Sequence, residues 1–134
     1  MTSNPIAEPI WLTEVQVRML HAEAINLFGG AHGIRDQSLL ESALGRPRNM
    51  WAFAESVSLP ELAAAYGFGI AKNHAFVDGN KRTALLAIRA FLFRNGLLFE
   101  PTEVEAVSTI EGLAAGSVKE QALADWITDN SESL

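Results

Sequence analysis

The run Ala84-Leu-Leu-Ala-Ile-Arg-Ala-Phe-Leu-Phe93 is the most apolar stretch of this 134-residue chain. Wound as a helix, it is apolar nearly all the way round, and such a helix belongs inside a bundle. Arg89 and Arg94 interrupt the run, so it is not expected to span a bilayer. Directly before it stands His74-Ala-Phe-Val-Asp-Gly-Asn-Lys-Arg-Thr83. A buried helix does not need so many polar groups at its start for packing. This loop, residues 74–83, is therefore where chemistry is expected.

The rest of the chain reads as further helices packed around that one. Thr13-Glu-Val-Gln16, Ser58-Leu-Pro-Glu61, Thr102-Glu-Val-Glu105 and Ser117-Val-Lys-Glu120 have the form of capping boxes, in which a hydroxyl and a carboxyl or amide satisfy orphan N–H groups. Asp36 is placed to cap another helix carrying Leu39, Leu40, Ala43 and Leu44. Gly29-Gly30, Gly96 and Gly116 are the stops. The expectation is an all-α bundle of about six helices, one domain over residues 1–134, with residues 1–12 as an irregular N-terminal arm.

In the first helix Val15, Met19, Ala22 and Leu27 fall near helical spacing and are expected on the core. His21 reads as a partly exposed helical histidine and His32 as a loop residue. Gly45-Arg-Pro-Arg-Asn49 is expected to end the second helix, leaving a loop or short hairpin to Val57 with Met50, Trp51 and Phe53 exposed, which is either an ordinary surface loop or a flap over the site at residues 46–57. Gly67 and Gly69 suggest close packing of the third helix. Gly96-Leu-Leu-Phe-Glu100 is extended in character but has no clear partner strand.

Charge narrows the choice of function. The chain carries net charge −6, which argues against general nucleic-acid binding. Seven of its ten Lys and Arg lie between positions 46 and 94, a segment with three acids, so the basic excess is local. A patch of that kind suits a small anion such as a phosphate. There is no cysteine, which removes disulfides and thiolate metal sites and accords with a reducing cytoplasm. Met1-Thr-Ser-Asn-Pro5 has no basic start followed by an apolar core, so no secretion signal is expected.

Residues 80–83 form the first turn of the apolar helix, whose N–H groups have no intrahelical partners and carry the positive end of the dipole. That end is an anion site in waiting. Gly79 permits a tight turn and close backbone approach. Lys81 and Arg82 add charge, and an arginine can grip phosphate oxygens in a bidentate manner. The pattern is not that of a P-loop. Asp78 beside this cradle suits either an N-cap or a Mg²⁺ ligand shared with phosphates, and the two roles are compatible. His74 is a candidate general base. Phe76 reads as an anchor that buries its ring and fixes the loop.

This stretch resembles the signature of the Fic/Doc superfamily, in its death-on-curing (Doc) branch. The loop, the apolar helix behind it and the Arg94-Asn95-Gly96 ending all agree with that pattern. Fic enzymes move AMP from ATP to a protein hydroxyl, using a histidine base, a phenylalanine anchor, an acidic metal ligand, Gly-Asn-Gly-Arg and a second arginine. His74, Phe76, Asp78, Gly79, Asn80 and Arg82 match. Lys81 replaces the second glycine and Leu85 the second arginine, which is the Doc form.

The resemblance implies a protein kinase toxin that passes the γ-phosphate of ATP to a threonine of a translation factor, elongation factor Tu, and is restrained by a separate antitoxin. It implies His74 as base, Asp78 on Mg²⁺, Lys81 and Arg82 with the Gly79–Asn80 backbone on phosphates, and Asn80 orienting a phosphate or the loop itself. It implies that the flap with Arg46, Arg48 and Trp51 docks the target. The rival readings are AMP transfer and a non-catalytic binding module. The inhibitory Ser/Thr-xxx-Glu-Gly/Asn motif of many Fic enzymes is approached at Thr128 to Ser133 but fails at its last position, so restraint in trans is expected.

Overall fold

Four of the local signals read from the sequence are realised as helix starts in the computed structural model, which describes residues 7–134. Residues 1–6 of the expected arm, with Pro5, lie outside the described residues. Thr13 and Ser58 close full capping boxes with Gln16 and Glu61. Asp36 and Thr102 accept from Leu39 N–H and Glu105 N–H. The helices are α1 (Glu14–Phe28), α2 (Gln37–Phe53), α3 (Leu59–Asn73), α4 (Asn80–Arg94), α5 (Glu103–Ala115) and α6 (Glu120–Asp129). The all-α expectation holds.

Ser117 does not open α6. The N-cap there is Lys119, with no side-chain bond. Ser117 is instead drawn into the end of α5, where its N–H and its hydroxyl both donate to the Gly112 carbonyl. The extended segment finds a partner the sequence did not announce. β1 (Leu97–Phe99) pairs antiparallel with β2 (Ser131–Ser133), Leu98 opposite Glu132. Phe99 is buried edge-on against Trp126, with ring centroids 5.2 Å apart.

The centre of the bundle is shared. α4 is buried along Thr83, Ala84, Leu85, Ala87, Ile88, Phe91 and Leu92. α3, however, is buried almost continuously from Leu62 to Ala71 and packs on α2, α4, α5 and α6. Its small residues make this possible. A Cβ on Gly69 would lie 3.0 Å from Ala43 Cα of α2, and one on Gly67 would lie 2.6 Å from Ile88 Cδ1 of α4. The approach at Gly69 is to backbone and favours glycine, whereas at Gly67 it is to the far end of a side chain that can turn. Tyr66, fully buried, accepts the Leu12 N–H on its hydroxyl at 3.0 Å and so ties residues before α1 to the core. Burial pushes the Tyr66 phenol above its usual value.

Two expectations about faces and ends are corrected. Val15, Met19 and Leu27 are each 66% exposed; α1 buries Val17, His21, Ala24 and Ile25 instead. Residues 46–53 are not a flap, because α2 runs on through Gly45 and Pro47 to Phe53. A proline in mid-helix gives up one bond and crowds the preceding turn. Packing on both sides of it offsets that: Ala43 seats on Gly69, and Met50 and Trp51 pack against the core. Arg46 lies over the Phe68 ring and pairs with Glu120, and Arg48 lies over Trp11. These two cations and Trp51 therefore brace helices. Among the described residues no helix is long and apolar enough to cross a membrane.

Candidate active site

The loop between α3 and α4 is built outward from two buried residues. Phe76 is 1% exposed. Asn80, the first residue of α4, accepts the Phe76 N–H on Oδ1 and donates to the Phe76 carbonyl from Nδ2, both at 3.0 Å. That reciprocal pair spends the Asn80 side chain on the loop. Of the two roles expected of that side chain, orienting a phosphate or the loop, it takes the second, and its backbone N–H is left for a phosphate.

The loop is also held from outside. The turn between α1 and α2 lies along it: Arg35 and Asp36 N–H donate to the Ala75 carbonyl, Val77 N–H donates to the Gly33 carbonyl, and Ile34 bridges to Phe76. His74 sits in the left-handed region, with φ 52° and ψ 46°. A non-glycine residue held there costs about 1–3 kcal/mol and must be over-determined by its surroundings. Arg35 supplies the hold, with Nε donating to the His74 carbonyl (2.8 Å) and an Nη to the Asn73 carbonyl (3.2 Å). A cation at the end of α3 also meets the negative end of its dipole. The His74 side chain itself is exposed and has no hydrogen-bond partner among the described residues.

Gly79 is the N-cap of α4, at φ 75°, and no side chain caps that end. Asp78 therefore does not act as the N-cap. Its Oδ1 accepts the Gly79 N–H (2.9 Å), its Oδ2 lies 3.4 Å from Ala31 N–H, and the residue is exposed. Thr83 donates its hydroxyl to the Gly79 carbonyl (2.8 Å), which fixes the turn.

His74, Asp78, Gly79, Asn80, Lys81 and Arg82 all line one cleft of about 340 Å³. Its other wall is α5, through Ala106, Val107, Ile110 and Glu111, and Leu85 is there at 3% exposure. Lys81 is exposed and has no partner among the described residues. Arg82 lies 3.9 Å over the Phe28 ring and pairs with Glu103 at 2.8 Å. Arg46, Arg48 and Trp51 are not in this cleft.

No group of three His, Asp or Glu able to cage a metal exists among the described residues. The cleft instead offers single carboxylates, Asp78 and Glu111, beside an anion site. That donor set does not suit zinc. It does suit Mg²⁺, which takes one or two carboxylates and completes its shell with water and phosphate.

The residue the sequence reading misjudged is His21. It is 4% exposed, its ring stacks on Phe76 at 3.9 Å and 8°, and Nε2 lies 2.8 Å from the Asp78 carbonyl. The signal was present in the chain. Val17, His21 and Ile25 recur every four residues on the face of α1 that is buried.

A protein-family model described as the Fic/DOC family matches residues 11–92. The chain is 36% identical over 109 residues to the protein kinase doc of Escherichia phage P1, an alignment that covers 81% of this chain and 85% of that protein. It is 44% identical over 71 residues to the toxin Doc of Mycolicibacterium smegmatis, covering 52% of this chain and 55% of that protein.

Proposed function

Because the chain belongs to the Fic/DOC family, we propose that it is a Doc-type toxin that phosphorylates a protein hydroxyl with ATP. The observation that carries this reading is the cleft itself. An unpartnered histidine, an uncapped helix N-terminus and a free lysine face one space, and the position where a second phosphate-gripping arginine would stand is the buried Leu85. With one clamp missing and Lys81 added, the phosphates lie so that the terminal phosphorus meets the nucleophile.

In the reaction, His74 takes the proton of the incoming hydroxyl. The hydroxyl oxygen bonds to the γ-phosphorus, the bond from that phosphorus to the β,γ-bridging oxygen breaks, and ADP leaves with the electron pair. Lys81, the α4 N–H groups and Arg82 hold phosphate oxygens and stabilise charge, which supplies most of the catalysis in phosphoryl transfer. Asp78 would hold Mg²⁺, with Glu111 lining the same cleft, and the ion supplies charge neutralisation on the phosphates when bound.

The proposed acceptor is a threonine of a translation factor, elongation factor Tu, which would halt translation in the cytoplasm. The proposed restraint is a separate antitoxin. The exposed α1 face of Val15, Met19 and Leu27 gives such a partner apolar surface.

The test uses ATP labelled at the γ- or the α-phosphate, with Mg²⁺ and elongation factor Tu, and with His74→Ala as control. Label passing from the γ-position alone supports the proposal. Label passing from the α-position means AMP transfer. No transfer to this factor or to any protein of a cell lysate leaves a binding module.

A further inference from the structure

We infer that His21 is a positioning residue of the site: through the Asp78–Gly79 peptide it sets the direction of the Asp78 carboxylate. The inference rests on the reading of Asp78 as the Mg²⁺-holding group. A buried imidazole N–H must find an acceptor wherever it lies, and the acceptor His21 meets belongs to the motif loop, 57 residues away in the chain. His21 Nε2 is 2.8 Å from the Asp78 carbonyl oxygen. A carbonyl can only accept, so Nε2 carries the proton and donates.

The peptide unit it grips is the one that matters. Its C=O end is held by His21, and its N–H end, on Gly79, donates to Asp78 Oδ1 at 2.9 Å. A peptide unit is planar and rotates as one body. Fixing the carbonyl therefore fixes the direction of the N–H, and the N–H holds the carboxylate.

The imidazole is in turn fixed. It lies flat on Phe76, 3.9 Å between centroids, with His32 edge-on at 6.5 Å. One turn further along α1, Ile25 Cδ1 would stand 2.9 Å from a Cβ on Gly79, so the glycine packs closely on that helix. The loop is thus laid on a rigid face of α1, with one directed bond to it. Groups that orient a metal-holding side chain in this way are commonly worth one to two orders of magnitude in metal affinity or activity.

Two substitutions separate the bond from the stack. His21→Phe keeps a ring on Phe76 and loses the donor. His21→Gln loses the ring, and its amide nitrogen reaches about as far as Nε2. Both full-length proteins and the wild type are examined for amide exchange at Gly79 without ligand, and for ATP affinity across a Mg²⁺ titration. In the Phe variant, Gly79 exchange should rise roughly tenfold, the worth of one ordinary hydrogen bond. Its Mg²⁺ requirement should rise about ten- to a hundredfold. The Gln variant should stay near wild type on both measures.

Wild-type behaviour of the Phe variant on both would reduce His21 to packing and overturn the inference. Equal damage in the Gln variant would do the same, since the ring would then be what counts. Faster exchange with an unchanged Mg²⁺ requirement would also overturn it, because the loop would be loosened without consequence for Asp78. Should the wild type bind no ATP, the nucleotide reading fails on its own, and Gly79 exchange in the three free proteins still decides whether His21 holds the peptide.

Discussion

Asn80 shows how a residue can belong to a site without touching what the site binds. Its two amide atoms are taken by the Phe76 N–H and carbonyl, and it is nearly buried. Asn80→Ala should therefore leave both backbone groups without partners, at roughly 1–3 kcal/mol for each. A urea melt should show that loss together with weaker nucleotide binding; a loss of binding at full stability would return the side chain to the phosphates. Gly79→Ala is the complementary case. It forces a left-handed alanine, about 1–2 kcal/mol, and brings a methyl group to 2.9 Å from Ile25 Cδ1. It should lower both melting temperature and activity. Residue types in the motif were legible from the sequence because chemistry needs them there: an exposed histidine, a carboxylate, two cations. The supporting contacts were not. His21 and Arg35 sit far from the loop in the chain, and nothing local in their neighbourhoods says that one will donate to the Asp78 carbonyl and the other to that of His74.

Four helix starts follow their local capping signals, whereas the Ser117 signal and the end of α2 do not, and the difference is physical. Capping at Thr13, Asp36, Ser58 and Thr102 is local, settled within a few residues. The end of α2 is not local: Gly45 and Pro47 should break it, but its far half is held by α3, α6 and Trp11. The strand pair was missed for the same reason, since Ser131-Glu-Ser133 has no strand character until Leu97–Phe99 is beside it. Gly69→Ala tests the α2–α3 seat. The added methyl meets backbone at Ala43, which cannot swing away, so the loss should be about 1–3 kcal/mol, read from denaturant unfolding. Asp36 tests the start of α2. The Ser38 hydroxyl (2.7 Å) first, then the Leu39 N–H (3.0 Å), hold its carboxyl below the ordinary 3.8. A carboxylate whose folded pKa is depressed stabilises fully above the unfolded value and loses that stabilisation as pH falls through the folded one. Asp36→Asn keeps a capping oxygen and removes the titration. The gap in melting temperature between wild type and variant should be constant above pH 3.8 and close below it. Parallel curves throughout acid would mean that the carboxylate is not what the pH acts on.

Over the whole molecule, the basic excess of residues 46–94 does not gather at one place. Arg46 is spent on Glu120, Arg48 on the face of Trp11, and Lys72 on the Ala114 carbonyl. What reaches the cleft is Lys81 and an Arg82 already shared with Glu103, set against Asp78 and Glu111. The cleft is thus close to balanced, whereas a polyphosphate is strongly negative. Lys81 and the helix end alone should hold it weakly, and an added cation should be needed for tight binding. This gives a crossed expectation for Asp78→Asn. Without Mg²⁺, removing one negative charge a few ångströms from the phosphates should tighten ATP binding by about 1 kcal/mol, roughly fivefold. With Mg²⁺, the variant should gain almost nothing while the wild type gains strongly, so the order of affinities reverses. Calorimetric titrations with and without a chelator measure both arms. If the variant is weaker in both, Asp78 acts by holding the loop and not by its charge. If it is stronger in both, the carboxylate only repels the nucleotide, and any Mg²⁺ in the cleft is held by phosphate without it.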